Sequence, residues 1–146
     1  MCTIIEVLSE PIKSKIGYKI VIEHRGRYYG YISGWEIKVG QAKRYMDPNL
    51  VSDNSNASAD QPLLSTLSTA YVLGWTPIHQ GKYSFFVNEN EARVEAQYAV
   101  RQNFNSYSYV LLQCETKTVT HTTKFSDSAC FLAQEIVSIE KLPLYS

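Results

Sequence analysis

Between Gly81 and Arg101 the chain reads GKYSFFVNENEARVEAQYAVR, an aromatic cluster running into a helix signal that carries two arginines on its polar side. Aromatic rings stack on planar bases, and a guanidinium offers paired donors to phosphate oxygens. The segment therefore has the side chains to hold a nucleotide-like ligand. The same residue types also furnish ordinary protein surfaces and interfaces, where they hold no small molecule.

Patterns for catalysis are sparse. The sequence has no P-loop, dinucleotide-binding glycine pattern, HExxH or nucleophile elbow. His24, His79 and His121 are widely separated, and no two have a spacing that suggests a metal site. His121-Thr122-Thr123 has the form of the His-x-Thr element of two-histidine phosphoesterases, but that chemistry needs a second copy, which the chain lacks. Carboxylates are scattered, so no acid/base pair can be nominated from sequence. Cys2, Cys114 and Cys130 are odd in number and lack CxxC spacing, which argues against a disulfide framework and against structural zinc. They read as reduced thiols. Loss of the initiator Met would make Cys2 an N-terminal nucleophile candidate, although the chain is short for the layered folds that use such chemistry. Cys114, inside YVLLQC, reads as a small core residue.

The elements that must position these side chains follow from composition and pattern. A chain of 146 residues with 45% hydrophobic and 12% aromatic content can bury a core as one domain spanning 1–146. Fourteen basic residues balance fourteen acidic ones, which disfavours a duplex nucleic-acid binder. No window reaches the roughly 18 apolar residues of a membrane span, and MCTIIEVLSEP has no basic region ahead of a long apolar run, so a soluble, unexported protein is expected.

Gly17 to Glu23, GYKIVIE, alternates Tyr18, Ile20 and Ile22 against Lys19, Val21 and Glu23, the pattern of a half-buried strand. His24-Arg25-Gly26 supplies a turn and Arg27 to Ile32 returns, giving a hairpin that Trp35 to Val39 extends until Gly40. Ser52 to Gln61, SDNSNASADQ, reads as a mobile loop between two halves of the domain, and Leu63 to Leu73 has no decisive period. Asn88 with Glu91 has capping spacing, and Ala92, Ala96, Ala99, Val100 and Phe104 recur on one helical face. Arg93, Gln97 and Arg101 fall on another, with Glu89 placed to pair with Arg93. Tyr107 to Glu115, Lys117 to Thr123 and Glu135 to Leu142 read as three further strands. The composite is α+β: a mostly antiparallel β-sheet packed with one principal α-helix.

In order along the chain, Met1-Cys2, Gly17-Tyr18-Lys19, Arg27-Tyr28-Tyr29, Trp35 to Gly40, Gly81 to Phe86 with Ala92 beyond, and Val110 to Cys114 resemble small proteins encoded by phages and prophages. Their order and spacing over most of the chain resemble the Thoeris anti-defence protein 1 (Tad1) family. The resemblance implies a non-catalytic sponge that binds and sequesters glycocyclic ADP-ribose, a cyclic ADP-ribose-type immune messenger, without cleaving it. Some members of that family also capture cyclic oligonucleotides at separate sites. It further implies a homo-oligomer with ligand pockets between protomers, working in the cytoplasm of the infected or lysogenic bacterial host, with no cofactor, metal, membrane or duplex nucleic acid.

Carried onto this chain, the resemblance places adenine or ribose against Phe85 and Phe86 and the pyrophosphate on Arg27, with Tyr28 beside it. Adjacent strand residues face opposite sides, so at least one of the two phenylalanines is expected in the core. Asn88 and Arg93 would add polar contacts where the exposed amides at the start of the helix favour phosphate. Gln113 lies near a position where relatives are expected to carry a basic residue, and it is neutral here. Trp75 is a further stacking candidate, equally consistent with a buried structural aromatic in Gly74-Trp75-Pro77. Two other functions are expected in outline: a protein-interaction module docking a host factor through Tyr28, Tyr29 and Tyr31, or a small hydrolase built on Cys2 or a histidine.

Overall fold

The computed structural model describes residues 2–30, 36–40, 82–102 and 107–145. In chain order these form β1 (Cys2–His24), β2 (Arg27–Gly30), β3 (Tyr83–Phe86), α1 (Glu89–Arg101), β4 (Ser108–Phe125) and β5 (Ser128–Leu142). Every strand pairing is antiparallel, and α1 is the one helix among the described residues, so the architecture is α+β as the pattern predicts. The loop at 52–61, the stretch 63–73, Trp75 and Tyr31 lie outside the described residues.

The β1–β2 hairpin turns through Arg25 and Gly26, whose φ of 51° and 77° are the left-handed pair that matches strand twist in a two-residue connection. β1 pairs with β4 from Cys2 opposite Phe125 to Glu23 opposite Ser108. β4 pairs with β5, β5 pairs with β3, and Phe86 of β3 stands opposite Cys130 on one side and Tyr18 on the other. β1, β4, β5 and β3 thus close on themselves at the single pair Tyr18 and Phe86. β2 adds to β1 beyond that closure.

Three boundaries differ from the sequence reading, one being β5, which begins at Ser128 and not at Glu135. The strands expected at 107–115 and 117–123 are one, β4, bent at Thr118 with φ 62° between register shifts in its pairing with β5. A left-handed residue and bulges bend a strand without ending it when both its edges stay paired. The N-terminal residues, given no element from sequence, form the first half of β1. Pro11 falls inside the register break between Val7 and Ile12, where a missing N–H disturbs no ladder bond.

Register-paired residues share a face, so the sheet sorts its side chains into two cores. Ile20, Val21 and Ile22 are 2%, 0% and 0% exposed, so this part of β1 is covered on both sides and is no half-buried strand. On one side, Ala92 and Ala96 of α1 pack against Ile20, Phe86, Leu111 and Cys130, alanine allowing the helix axis to approach closely. On the other, Phe85 stacks on Phe131 with ring centroids 5.2 Å apart and planes 22° apart. Gly17 lies beneath that pair: a Cβ there would stand 2.5 Å from Phe131 Cζ and 2.7 Å from Phe85 Cβ. Lys15 and Lys19 place their ammonium groups 5.1 Å and 5.5 Å from the Phe131 and Phe85 centroids.

Gly17→Ala is expected to force these rings or the backbone apart and to destabilise the protein by about 1–3 kcal/mol. Phe85→Ala is expected to cost about 3–5 kcal/mol through lost burial and the cavity left behind. Urea denaturation of the two variants checks both values.

Candidate functional site

The predicted site residues do not converge on the start of the helix. Phe85 is 1% and Phe86 7% exposed, one on each face of the sheet and each within its core cluster. Neither ring presents a stacking surface, which corrects the placement of a base against them. The reason is the closure: Phe86 is flanked by β1 and β5 and roofed by α1, whereas the alternation of side chains alone leaves one side of β3 open.

Asn88 and Arg93 serve the helix itself. Asn88 Oδ1 accepts from the Glu91 amide at 3.1 Å, capping α1. Arg93 donates to Glu89 Oε2 at 2.8 Å, to Asn90 Oδ1 at 3.2 Å and to the Pro143 carbonyl at 3.1 Å, so its guanidinium is spent on tying the C-terminal segment to α1. Gln113 is half-buried on β4 between Tyr18 and Glu140. Tyr28 packs against the Phe85–Phe131 core, and its carbonyl accepts from the Ile37 amide at 2.8 Å. Trp75 is outside the described residues.

Arg27 is the predicted residue whose side chain stays more than half exposed. Its side chain is 55% exposed and lies 3.5 Å from Glu36, which is 13% exposed. It pairs in register with His24, whose imidazole meets the Tyr107 ring edge-on at 5.1 Å. One row further along, Tyr29 pairs with Ile22 and Ile22 with Tyr109, while Tyr29 also bridges to Glu36. Two rows across β2, β1 and the start of β4 thus set Arg27, His24, Tyr107, Tyr29 and Tyr109 on the helix-bearing face of the sheet, with Glu36 at its margin. The three tyrosines are half-buried, and Tyr109 packs against the helix-side core.

This arrangement offers flat apolar surface, a guanidinium with spare donors and a carboxylate able to accept from hydroxyl groups. Sequence reading found Arg27 but missed His24, Glu36, Tyr107 and Tyr109 as its companions. The signal was present in part: Arg27 and Tyr29, like Tyr107 and Tyr109, are two apart and must share a face of a strand. That the two pairs lie alongside each other depends on the β1–β4 register, which no local pattern reveals.

Among the described residues, no group of three His, Cys, Asp or Glu side chains is placed to hold a metal ion. Cys2 opens β1 with its backbone opposite Phe125. Burial pushes the Cys114 thiol up to about 12, with nearby Lys19 opposing the shift, and a thiol held protonated is a poor nucleophile. His121 is lowered from 6.5 by burial and then by the charge of Lys82, and its Nδ1 lies 2.7 Å from Thr120 Oγ1. Comparison of the chain with protein-family models, curated proteins and solved structures finds no match.

Two outcomes follow for these groups. Cys114 is expected to resist a thiol reagent at neutral pH in the folded protein and to react once denatured, as absorbance titration would read. The unfolded chain protonates His121 before the folded one does, so this residue's contribution to stability holds above pH 6.5 and is lost as pH falls below it. An NMR titration should place the His121 midpoint below 6.5.

Proposed function

We propose that this protein is a phage-encoded anti-defence sponge that sequesters a cyclic ADP-ribose-type signalling nucleotide, as a homo-oligomer in the bacterial cytoplasm, without cleaving it. The observation that carries this reading is the register that sets Arg27, Tyr29 and Tyr109 on one sheet face, with Tyr107 edge-on to His24 beside them. It joins the sequence resemblance to side chains suited to the ligand's parts. The rings supply apolar surface for the base, Arg27 donates to the pyrophosphate, and Glu36 accepts from ribose hydroxyls. His24 stands in register with Arg27 and meets the Tyr107 ring edge-on.

The Arg27–Glu36 pair is compatible with this role. Arg27 is the exposed member of the pair and Glu36 the mostly buried one, so a phosphate would share the guanidinium from its solvent side rather than displace it from the carboxylate. Sequestration also asks for a different arrangement from catalysis: contacts that hold the ground state, with no requirement for stronger contacts in a transition state.

Isothermal calorimetry with a panel of cyclic ADP-ribose isomers and cyclic oligonucleotides, followed by heating and chromatography of the released ligand, tests the reading. Binding and intact recovery are expected. Arg27→Ala should weaken binding roughly tenfold to a hundredfold, the worth of a charge-assisted hydrogen bond, with little change in melting temperature. A cleaved product would assign the chain to an enzyme, and no binding across the panel would assign the aromatic face to a protein partner.

A further inference from the structure

The segment 36–40 runs beside β2, and its backbone is anchored at both ends. Tyr29 bridges to Glu36, the Ile37 amide donates to the Tyr28 carbonyl at 2.8 Å, and the Gly40 amide donates to the Ile136 carbonyl at 2.7 Å. Ile37 is 8% exposed and belongs to the Phe85–Phe131 core. Adjacent residues of extended backbone point to opposite sides, so Glu36 is turned to the helix-bearing face, where it meets Arg27.

The Glu36 side chain is nearly enclosed, yet its acceptor capacity is largely unused. Its partner among the described residues is Arg27, whose Nη1 stands 3.5 Å from Oε1. Thr123 Oγ1 is the buried side-chain polar atom left without a partner among those residues, so the Glu36 oxygens keep contact with solvent. A carboxylate accepts through about four lone-pair sites and has no proton to give. One guanidinium contact leaves most of them available to a ligand.

Such an acceptor recognises hydroxyl groups. With a pyrophosphate on the solvent side of Arg27, the sugar attached to it comes alongside Glu36, and a ribose hydroxyl donates to the carboxylate. A phosphomonoester in place of that hydroxyl carries about −1.5 to −2 charge at neutral pH and meets Glu36 as a repelling neighbour. Arg27 does not offset this, because its donors serve Glu36 on one side and the pyrophosphate on the other. In dinucleotide-binding folds the same division holds: an acidic residue takes a free ribose hydroxyl, and an arginine left free for the purpose takes an added phosphate.

We propose that Glu36 is the specificity-determining residue of this face, selecting cyclic ADP-ribose-type ligands whose ribose hydroxyls are free and rejecting those that carry a ribose phosphomonoester. The inference rests on the nucleotide reading and adds the class of nucleotide accepted: one made by cyclising a dinucleotide with unphosphorylated ribose.

Calorimetry of the full chain with cyclic ADP-ribose, its glycocyclic isomers and the ribose-phosphorylated form of each tests it. The wild type should bind an unphosphorylated form roughly tenfold or more tightly than its phosphorylated counterpart. Glu36→Gln keeps the shape of the side chain but can donate to a phosphate, so it should weaken the first, strengthen the second and narrow the ratio by roughly tenfold. Arg27→Ala should weaken both without narrowing the ratio. The wild-type ratio needs no variant and so stands as a test whether or not Glu36→Gln folds, which circular dichroism reads. Equal affinity of the wild type for the two forms, or a folded Glu36→Gln that loses both alike as a merely structural carboxylate would, overturns the inference and leaves the sponge reading standing. No binding of any of these nucleotides overturns that reading, and the inference with it.

Discussion

The stack of Phe85 on Phe131 above Gly17 is the constraint on which the rest of this structure depends. β3 has only four residues, and its hold on β1 passes through one register pair, Tyr18 with Phe86. So short a strand cannot close a ring by backbone bonds alone. Phe85 supplies the apolar contact that keeps it there, and the contact exists because residue 17 has no side chain to push the rings away. Lys15 and Lys19, on the same side of β1 as Gly17, then cover the two rings with cations and hydrocarbon stems.

That closure determines which aromatic side chains are buried. With Phe85 turned into one core and Phe86 into the other, the aromatic cluster that dominates the sequence is structural. Beyond the closure, β2 extends the sheet and sets half-buried aromatic residues alongside β1. There Tyr29 and Tyr109 stand in one row on either side of Ile22, which is fully buried, and both residues, like Tyr107, are half-buried. Arg27 lies at this end because the tight Arg25–Gly26 turn returns the chain immediately beside His24.

The sequence discloses what local interactions decide. α1 is legible from its cap to Ala99 because its determinants lie within four residues of one another: the Asn88 cap, the Glu89–Arg93 pair at 2.8 Å, and the alanine stripe; of the rest of the expected face, Val100 is half-buried and Phe104 lies outside the described residues. The hairpin is legible for the same reason. What stays hidden depends on partners far along the chain. The mostly polar run from Glu6 to Lys15 gives no strand signal, yet it is held by backbone pairing to residues more than a hundred positions away. The burial of Ile20 through Ile22 on both sides, and of both phenylalanines, likewise follows from closure rather than from alternation. In the site, Arg27 is visible as an isolated cation, whereas its setting is assembled from β2, β1 and β4 and requires their register.

The most direct test of the relocated site is an amide and side-chain NMR map of the protein titrated with a cyclic ADP-ribose isomer that binds it. Chemical-shift changes concentrated at His24, Arg27, Tyr29, Glu36, Tyr107 and Tyr109, with Phe85 and Arg93 little affected, are the predicted result. Changes centred on Phe85, Asn88 and Arg93, leaving the β1–β2 hairpin undisturbed, would contradict it.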